Sequence, residues 1–146
     1  MFKHILIPTD GSDLSERAVK AGIDFAKAIG AKVTGFRAME LYAWQYGDVI
    51  PLDVYSTELR EERETALSNK SLQSVTDYAK SAGVMSQVYH AKGIVPYEGI
   101  IKAAEDNGCD LIFMASHGRR GLAGLLLGSE TVKVLTHCKI PVLVYR

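Results

Sequence analysis

Two rhythms of apolar residues alternate along this chain. Short uncharged blocks, Ile5-Leu6-Ile7 ahead of Pro8 and Leu111-Ile112-Phe113-Met114-Ala115, fit strands buried on both faces, as in parallel sheets. Other segments carry helical spacing: Leu14, Ala18, Gly22, Phe25 and Ile29 recur every three or four residues, as do Leu72, Val75, Ala79 and Ala82. The pattern predicts a strand over Phe2 to Pro8, a helix capped by Ser12 or Asp13 and closed by Gly30, and a strand over Ala31 to Met39. A long helix over Thr57 to Ala82 and a strand over Val84 to Ala91 follow. A helix from Pro96 to Gly108, a strand opened by Asp110, a helix over Val132 to His137 and a strand over Lys139 to Arg146 complete the chain. Strand and helix alternate throughout, which implies an α/β fold: a parallel sheet with helices on both faces.

Two stretches fit this pattern less well. Gly35 and Arg37 interrupt the second strand, and Arg37 is expected at its solvated edge. Glu40 to Ser56 has no stable period, contains Gly47 and Pro51, and carries Tyr42, Trp44, Tyr46 and Tyr55; packing of these aromatics on the domain or a partner, and a lid over a ligand, are both open. The charged run from Glu58 to Glu64 reads as a solvated helix face.

Composition narrows the function classes. A length of 146 residues implies one domain. Lys plus Arg and Asp plus Glu balance at 17 each, so no overall field draws the chain to nucleic acid or anionic lipid. With no apolar run near 18 residues and no charged-then-apolar leader pattern, a cytoplasmic location is expected, with Cys109 and Cys138 reduced. His4, His90, His117 and His137 lack paired ligand spacing, so no metal site is expected.

The chemistry gathers between Leu111 and Thr131. Gly118, Gly121 and Gly124 follow the fourth strand, and Gly128-Ser129-Glu130-Thr131 precedes a helix, with Ser129 suited to cap it. A glycine loop leading into a helix start can hold an anion, because the first N–H groups of a helix have no partner within it and carry partial positive charge. Neither G-x-x-x-x-G-K-[ST] nor a G-x-G-x-x-G after the first strand is present. In an open sheet ligands sit beyond the carboxyl ends of strands. The loops there are Thr9-Asp10-Gly11, Ala38-Met39-Glu40 and Ser116-His117-Gly118. An ordinary turn-forming or capping role for Asp10 stays open beside a binding role.

Four passages together resemble the universal stress protein family over essentially the whole chain. They are Ile-Leu-Ile-Pro-Thr-Asp-Gly-Ser at Ile5, Gly-Cys-Asp-Leu-Ile-Phe-Met-Ala-Ser-His-Gly at Gly108, Leu-Leu-Leu-Gly-Ser ending at Ser129, and Ile-Pro-Val-Leu-Val at Ile140. The resemblance implies an open, doubly wound five-stranded parallel sheet in the order 3-2-1-4-5, Rossmann-like and similar to adenine nucleotide alpha hydrolases. ATP-binding members carry G-x2-G-x9-G-[ST]; here Gly118, nine residues and Gly128-Ser129 match its later parts, while Ala115 replaces the first glycine.

By that resemblance Asp10 faces the nucleoside, the backbone at Ala38 reads the adenine edge, and Met114 and Ala115 flank base or sugar. Gly118, Gly128, Ser129 and Thr131 hold phosphates. Pro8, Thr9, Met39, His117, Arg119 and Glu130 complete the implied set, with His117 as a hydrogen-bonding wall and no catalytic residue assigned. The implied ligand is ATP, any Mg2+ being held by its phosphates. The implied function is a nucleotide-dependent stress-response module with at most slow hydrolysis; a nucleotide-independent dimeric adaptor is the alternative. A homodimer through the outer strand Ile140 to Tyr145 is expected, since that edge carries no charge before Arg146.

Overall fold

In the computed structural model, which describes residues 1–39, 57–118 and 126–146, five strands and four helices alternate. They are β1 (His4–Pro8), α1 (Asp13–Ile29), β2 (Lys32–Met39), α2 (Thr57–Ala82), β3 (Ser86–Lys92), α3 (Pro96–Asp106), β4 (Leu111–Ala115), α4 (Ser129–His137) and β5 (Val142–Tyr145). All strand pairs are parallel and the order is β3-β2-β1-β4-β5, as expected.

The central strands β1 and β4 are buried at every position, which explains why they read as unbroken apolar blocks. Their residues nonetheless divide between two cores. Ile5, Ile7, Leu111, Phe113 and Ala115 join α1 and α2 on one face, while Leu6, Ile112 and Met114 join α3 and Val134 of α4 on the other.

The ends of several elements shift by a few residues. β1 begins at His4 rather than Phe2, β3 at Ser86 rather than Val84, and β5 at Val142 rather than Lys139. On α1 the buried face is Leu14, Ser15, Ala18, Val19, Gly22, Ile23 and Ala26, so Phe25 and Ile29 lie at its margin.

The two interruptions in β2 have a tertiary cause. A Cβ at Gly35 would lie 2.8 Å from one Val75 methyl carbon and 2.9 Å from one of Val88, so the glycine lets α2 seat on the sheet. Arg37 does not reach a solvated edge, because β2 is an interior strand between β1 and β3. It is 3% exposed, and its guanidinium donates to Ser71 Oγ at 2.7 Å and pairs with Glu64 at 3.5 Å on α2. The segment 40–56, with its four aromatic residues, lies outside the described residues.

A polar cluster closes the amino edge of the sheet. His4 Nε2 lies 2.7 Å from Thr34 Oγ1 in the interior, and the Asp110 carboxylate accepts the N–H groups of Lys3 and His4 at 2.8 to 3.1 Å. Burial, assisted by the charge of Lys32, holds the imidazole of His4 below its ordinary pKa. Burial raises the Asp110 carboxyl, but the N–H groups of His4 and Lys3 outweigh it and leave the net shift downward.

Both shifts carry the same sign. Below the ordinary histidine value of 6.5 the unfolded chain takes up a proton at His4 that the folded state resists, so stability falls as pH drops from neutral through that range. Asp110 adds a further loss lower down, as pH falls below the ordinary carboxylate value toward its depressed folded value. Urea unfolding at pH 7.5 and 5.5 should show a larger loss of midpoint for the parent than for His4→Gln; equal losses would refute the assignment.

Candidate functional site

The site is a consequence of how the chain leaves β1 and β4. The two strands are neighbours, yet α1 packs on one face of the sheet and α4 on the other, so the connections diverge from their carboxyl ends. Such a divergence opens a crevice in doubly wound sheets.

On the β1 side, Thr9 is tied three ways. Its N–H donates to Phe36 O of β2 at 2.9 Å, its hydroxyl meets Ser15 Oγ at 2.8 Å, and the same hydroxyl accepts Gly11 N–H at 3.2 Å. Gly11 takes φ of 74°, a left-handed turn that brings the chain into α1. Asp10 Oδ1 accepts Ser12 N–H at 3.0 Å, and Ser12 in turn caps α1 by accepting Ser15 N–H at 3.3 Å. One Asp10 oxygen therefore performs the turn-forming role left open by the sequence. The other, Oδ2, lies against Gly118: a Cβ there would collide with it and stand 3.2 Å from the carboxyl carbon.

On the β4 side the backbone is stitched to the start of α4. Ser116 N–H donates to Tyr145 O at 2.7 Å, and Gly128 N–H donates to Ser116 O at 2.7 Å. A side chain at Gly128 would press on the main chain that follows β4, since its Cβ would lie 3.1 Å from both Cα and Cβ of His117. The Thr131 hydroxyl donates to Ala115 O at 3.1 Å from a buried position. These bonds aim the N-terminus of α4 at the carboxyl ends of the sheet.

Several expected roles change accordingly. Gly128, not Ser129, is the N-cap of α4, because its backbone is extended, at φ −75° and ψ 158°, while its carbonyl accepts Val132 N–H at 3.0 Å; Ser129 becomes the first helical residue and is exposed. The Thr131 hydroxyl is spent on Ala115, leaving its main-chain N–H as its route to a ligand. Glu130 turns away from the crevice: one oxygen accepts Tyr97 N–H at 2.9 Å at the start of α3, which has no side-chain cap of its own, and the other meets Lys133 at 2.8 Å. Met39 and Met114 are core residues, Met114 packing in the α3 and α4 layer. Pro8 ends β1 in the interior, and Ala38 is half-buried near the end of β2. Gly118 has no left-handed φ; a side chain there would have to displace the Asp10 carboxylate. Arg119 lies outside the described residues.

Ala115 is accommodated without strain. No non-glycine residue in the described chain has positive φ, and its methyl group packs in the α1 and α2 core at the end of β4. Alanine thus ends a strand as readily as the glycine it replaces.

Two residues to which the sequence assigns no individual role organise this edge. Ser116 uses its N–H, its carbonyl and its hydroxyl, the last 3.2 Å from His117 Nδ1. Its place between a buried strand and a glycine run was the available signal. Tyr97 has no such signal, since its anchoring by Glu130 joins residues 33 apart.

A cleft of about 390 Å3 lies at the opposite edge among Lys3, Lys27 and Lys32, where α1 and α2 present their carboxyl ends. Lysines there balance the helix dipoles. Among the described residues no three His, Cys, Asp or Glu side chains converge as metal ligands.

The model of the universal stress protein family matches residues 1–146. The chain belongs to the universal stress protein family. Universal stress protein MJ0531 of Methanocaldococcus jannaschii is 35% identical, the match covering 100% of this chain and 83% of that protein. Universal stress protein MJ0577 of the same organism is 32% identical over 100% of this chain and 96% of its own length. Among solved structures, the universal stress protein UspA from Lactobacillus plantarum superposes with a TM-score of 0.83, covering 99% of this chain and 97% of that one; at 21% identity this is a likeness of fold.

Within this universal stress protein the two site glycines should respond differently to alanine. Gly118→Ala meets only the movable end of Asp10, so the thermal midpoint should hold. Gly128→Ala presses on the backbone of His117 and weakens a cap, which should cost about 1 kcal/mol. Thermal melts of both variants check the order, and a larger loss for Gly118→Ala would contradict this packing.

Proposed function

We propose that this protein binds an adenine nucleotide, ATP foremost, at the carboxyl ends of β1, β2 and β4 and acts as a nucleotide-dependent regulatory module in the cytoplasm. The observation that carries the reading is the juxtaposition of the Asp10 carboxylate with Gly118 beside an α4 N-terminus held by Gly128. A carboxylate suits ribose hydroxyls, which donate to it, and open helix N–H groups suit phosphates. In this reading Pro8, Thr9 and Asp10 form the sugar side, and Ala38 offers backbone to the base, while Met39, whose carbonyl accepts Gly93 N–H at 2.9 Å, lines that end of β2. Gly118, Arg119, Gly128, Ser129, Glu130 and Thr131 serve the phosphates, the last two through main-chain N–H groups. Any Mg2+ is carried by the phosphates.

Two solved structures of the same fold are complexes with an adenine nucleotide. One is a universal stress protein in complex with cAMP, with a TM-score of 0.72, and the other is the Archaeoglobus fulgidus protein in complex with dAMP, at 0.70. At 24% and 14% identity the likeness is one of fold, so the residue assignment rests on this chain's own geometry.

Small molecules released by denaturing the purified protein should include an adenine nucleotide. In protein freed of it, ATP with magnesium at a hundredfold excess over Kd should add about 2.7 kcal/mol, at about 2 to 4 °C per kcal/mol for a domain of this size. No thermal shift at millimolar ATP would leave the nucleotide-independent adaptor as the better reading.

We further propose a homodimer through β5. The other sheet edge, β3, carries Ser86, Gln87, His90 and Lys92, which discourage strand addition, whereas β5 is Val-Leu-Val-Tyr. Pro141 O and Tyr145 O both face β4, so Val142 and Val144 direct their backbone groups outward, and Pro141 removes no outward donor. Val132 and Leu135 of α4, 46% and 43% exposed, offer apolar surface on the adjoining helix. Sedimentation at tens of micromolar, on the order where weak specific contacts form, should show a dimer for the parent and a monomer for Val144→Pro. A monomeric parent would end the proposal.

A further inference from the structure

A circuit of hydrogen bonds, closed by short links of the chain itself, runs through four elements beneath the β1 and β2 ends. It starts at Thr9, whose hydroxyl meets Ser15 Oγ of α1 at 2.8 Å. The next residue of α1, Glu16, accepts the Ser74 hydroxyl of α2 at 2.9 Å, the single hydrogen being shared with Ser71 O at 2.8 Å, one turn back on α2. Ser71 Oγ accepts Arg37 Nη1 of β2 at 2.7 Å. The backbone returns through Phe36, whose carbonyl accepts Thr9 N–H at 2.9 Å.

This circuit is an unusual use of buried polarity. Arginine is almost never fully buried unless paired, and a paired interior charge contributes less to stability than apolar residues of the same volume often would. What a satisfied polar network supplies is a fixed geometry. Here the elements fixed are the β1 loop, with Asp10 next to Thr9, and the end of β2, with Ala38 next to Arg37.

We propose that Arg37, with Ser74 and Glu16, is a positioning device that sets nucleoside discrimination by fixing the spacing between the sugar-facing and base-facing segments. The proposal rests on the nucleotide reading above. None of the three residues belongs to the proposed binding set; they act through Thr9, Asp10 and Ala38. Loosening the circuit lets the β2 end shift relative to Asp10, so contacts to the base edge weaken. Phosphate contacts at Gly118 and α4 lie outside the circuit and persist.

Isothermal titration of the parent and variants with ATP, GTP and inorganic tripolyphosphate tests it. The parent should prefer ATP to GTP. Arg37→Met, Ser74→Ala and Glu16→Ala should each lower that preference about fivefold or more, with tripolyphosphate affinity unchanged. Glu16→Gln keeps an acceptor oxygen and should retain the preference. Should Arg37→Met fail to fold, the half-buried positions Ser74 and Glu16 still decide. An unchanged ATP to GTP ratio in those variants, even with a lowered melting temperature, overturns the proposal, as does equal weakening of all three ligands. A parent that binds ATP and GTP equally overturns it alone, whereas a parent that binds none of the three overturns the nucleotide reading as well.

Discussion

Two adjacent parallel strands, β1 and β4, send their connections to opposite faces of the sheet, and the functional edge of the molecule depends on that divergence. If α1 and α4 covered the same face, the loops after Pro8 and Ala115 would cross above the sheet and close the space between them. Because they part, Asp10 and Gly118 approach from two sides and the start of α4 reaches the same edge. The fully buried β1 and β4 make the arrangement rigid, since a one-residue slip of either would exchange the two cores.

Close approach of neighbouring atoms, rather than left-handed φ, explains Gly118 and Gly128 at this edge. Gly118 yields space to a carboxylate and Gly128 to the main chain of His117, both without left-handed φ. The same logic explains Gly35, where α2 meets β2. Each glycine trades conformational entropy for a contact that a side chain would disturb.

Polar side chains at this edge serve the frame as well as any ligand. Glu130 caps α3 from α4, the Thr131 hydroxyl anchors α4 to β4, and Asp10 divides its oxygens between a turn and the crevice. Helix starts need acceptors, and the nearest ones come from neighbouring elements. The division leaves main-chain N–H groups as the natural anion donors.

Element types, their order and the parallel sheet were legible in the sequence, because apolar blocks of five residues and helical spacing are local signals that burial enforces. The glycine-rich stretch after Ala115 and the turn at Asp10 were legible too, as composition changes at strand ends. Other features depended on tertiary context. Arg37 reads as an edge residue until β2 is known to lie between β1 and β3, and Ser129 reads as a cap until the Gly128 carbonyl is seen to accept the first helical N–H, from Val132. Glu130 reads as a residue for phosphate until Tyr97, 33 positions away, claims its carboxylate. Local sequence thus determined which elements form and where the chemistry collects. Packing of distant segments decided which atom of each residue remains for a ligand, because a hydrogen-bonding group committed to a neighbouring element is unavailable to anything else.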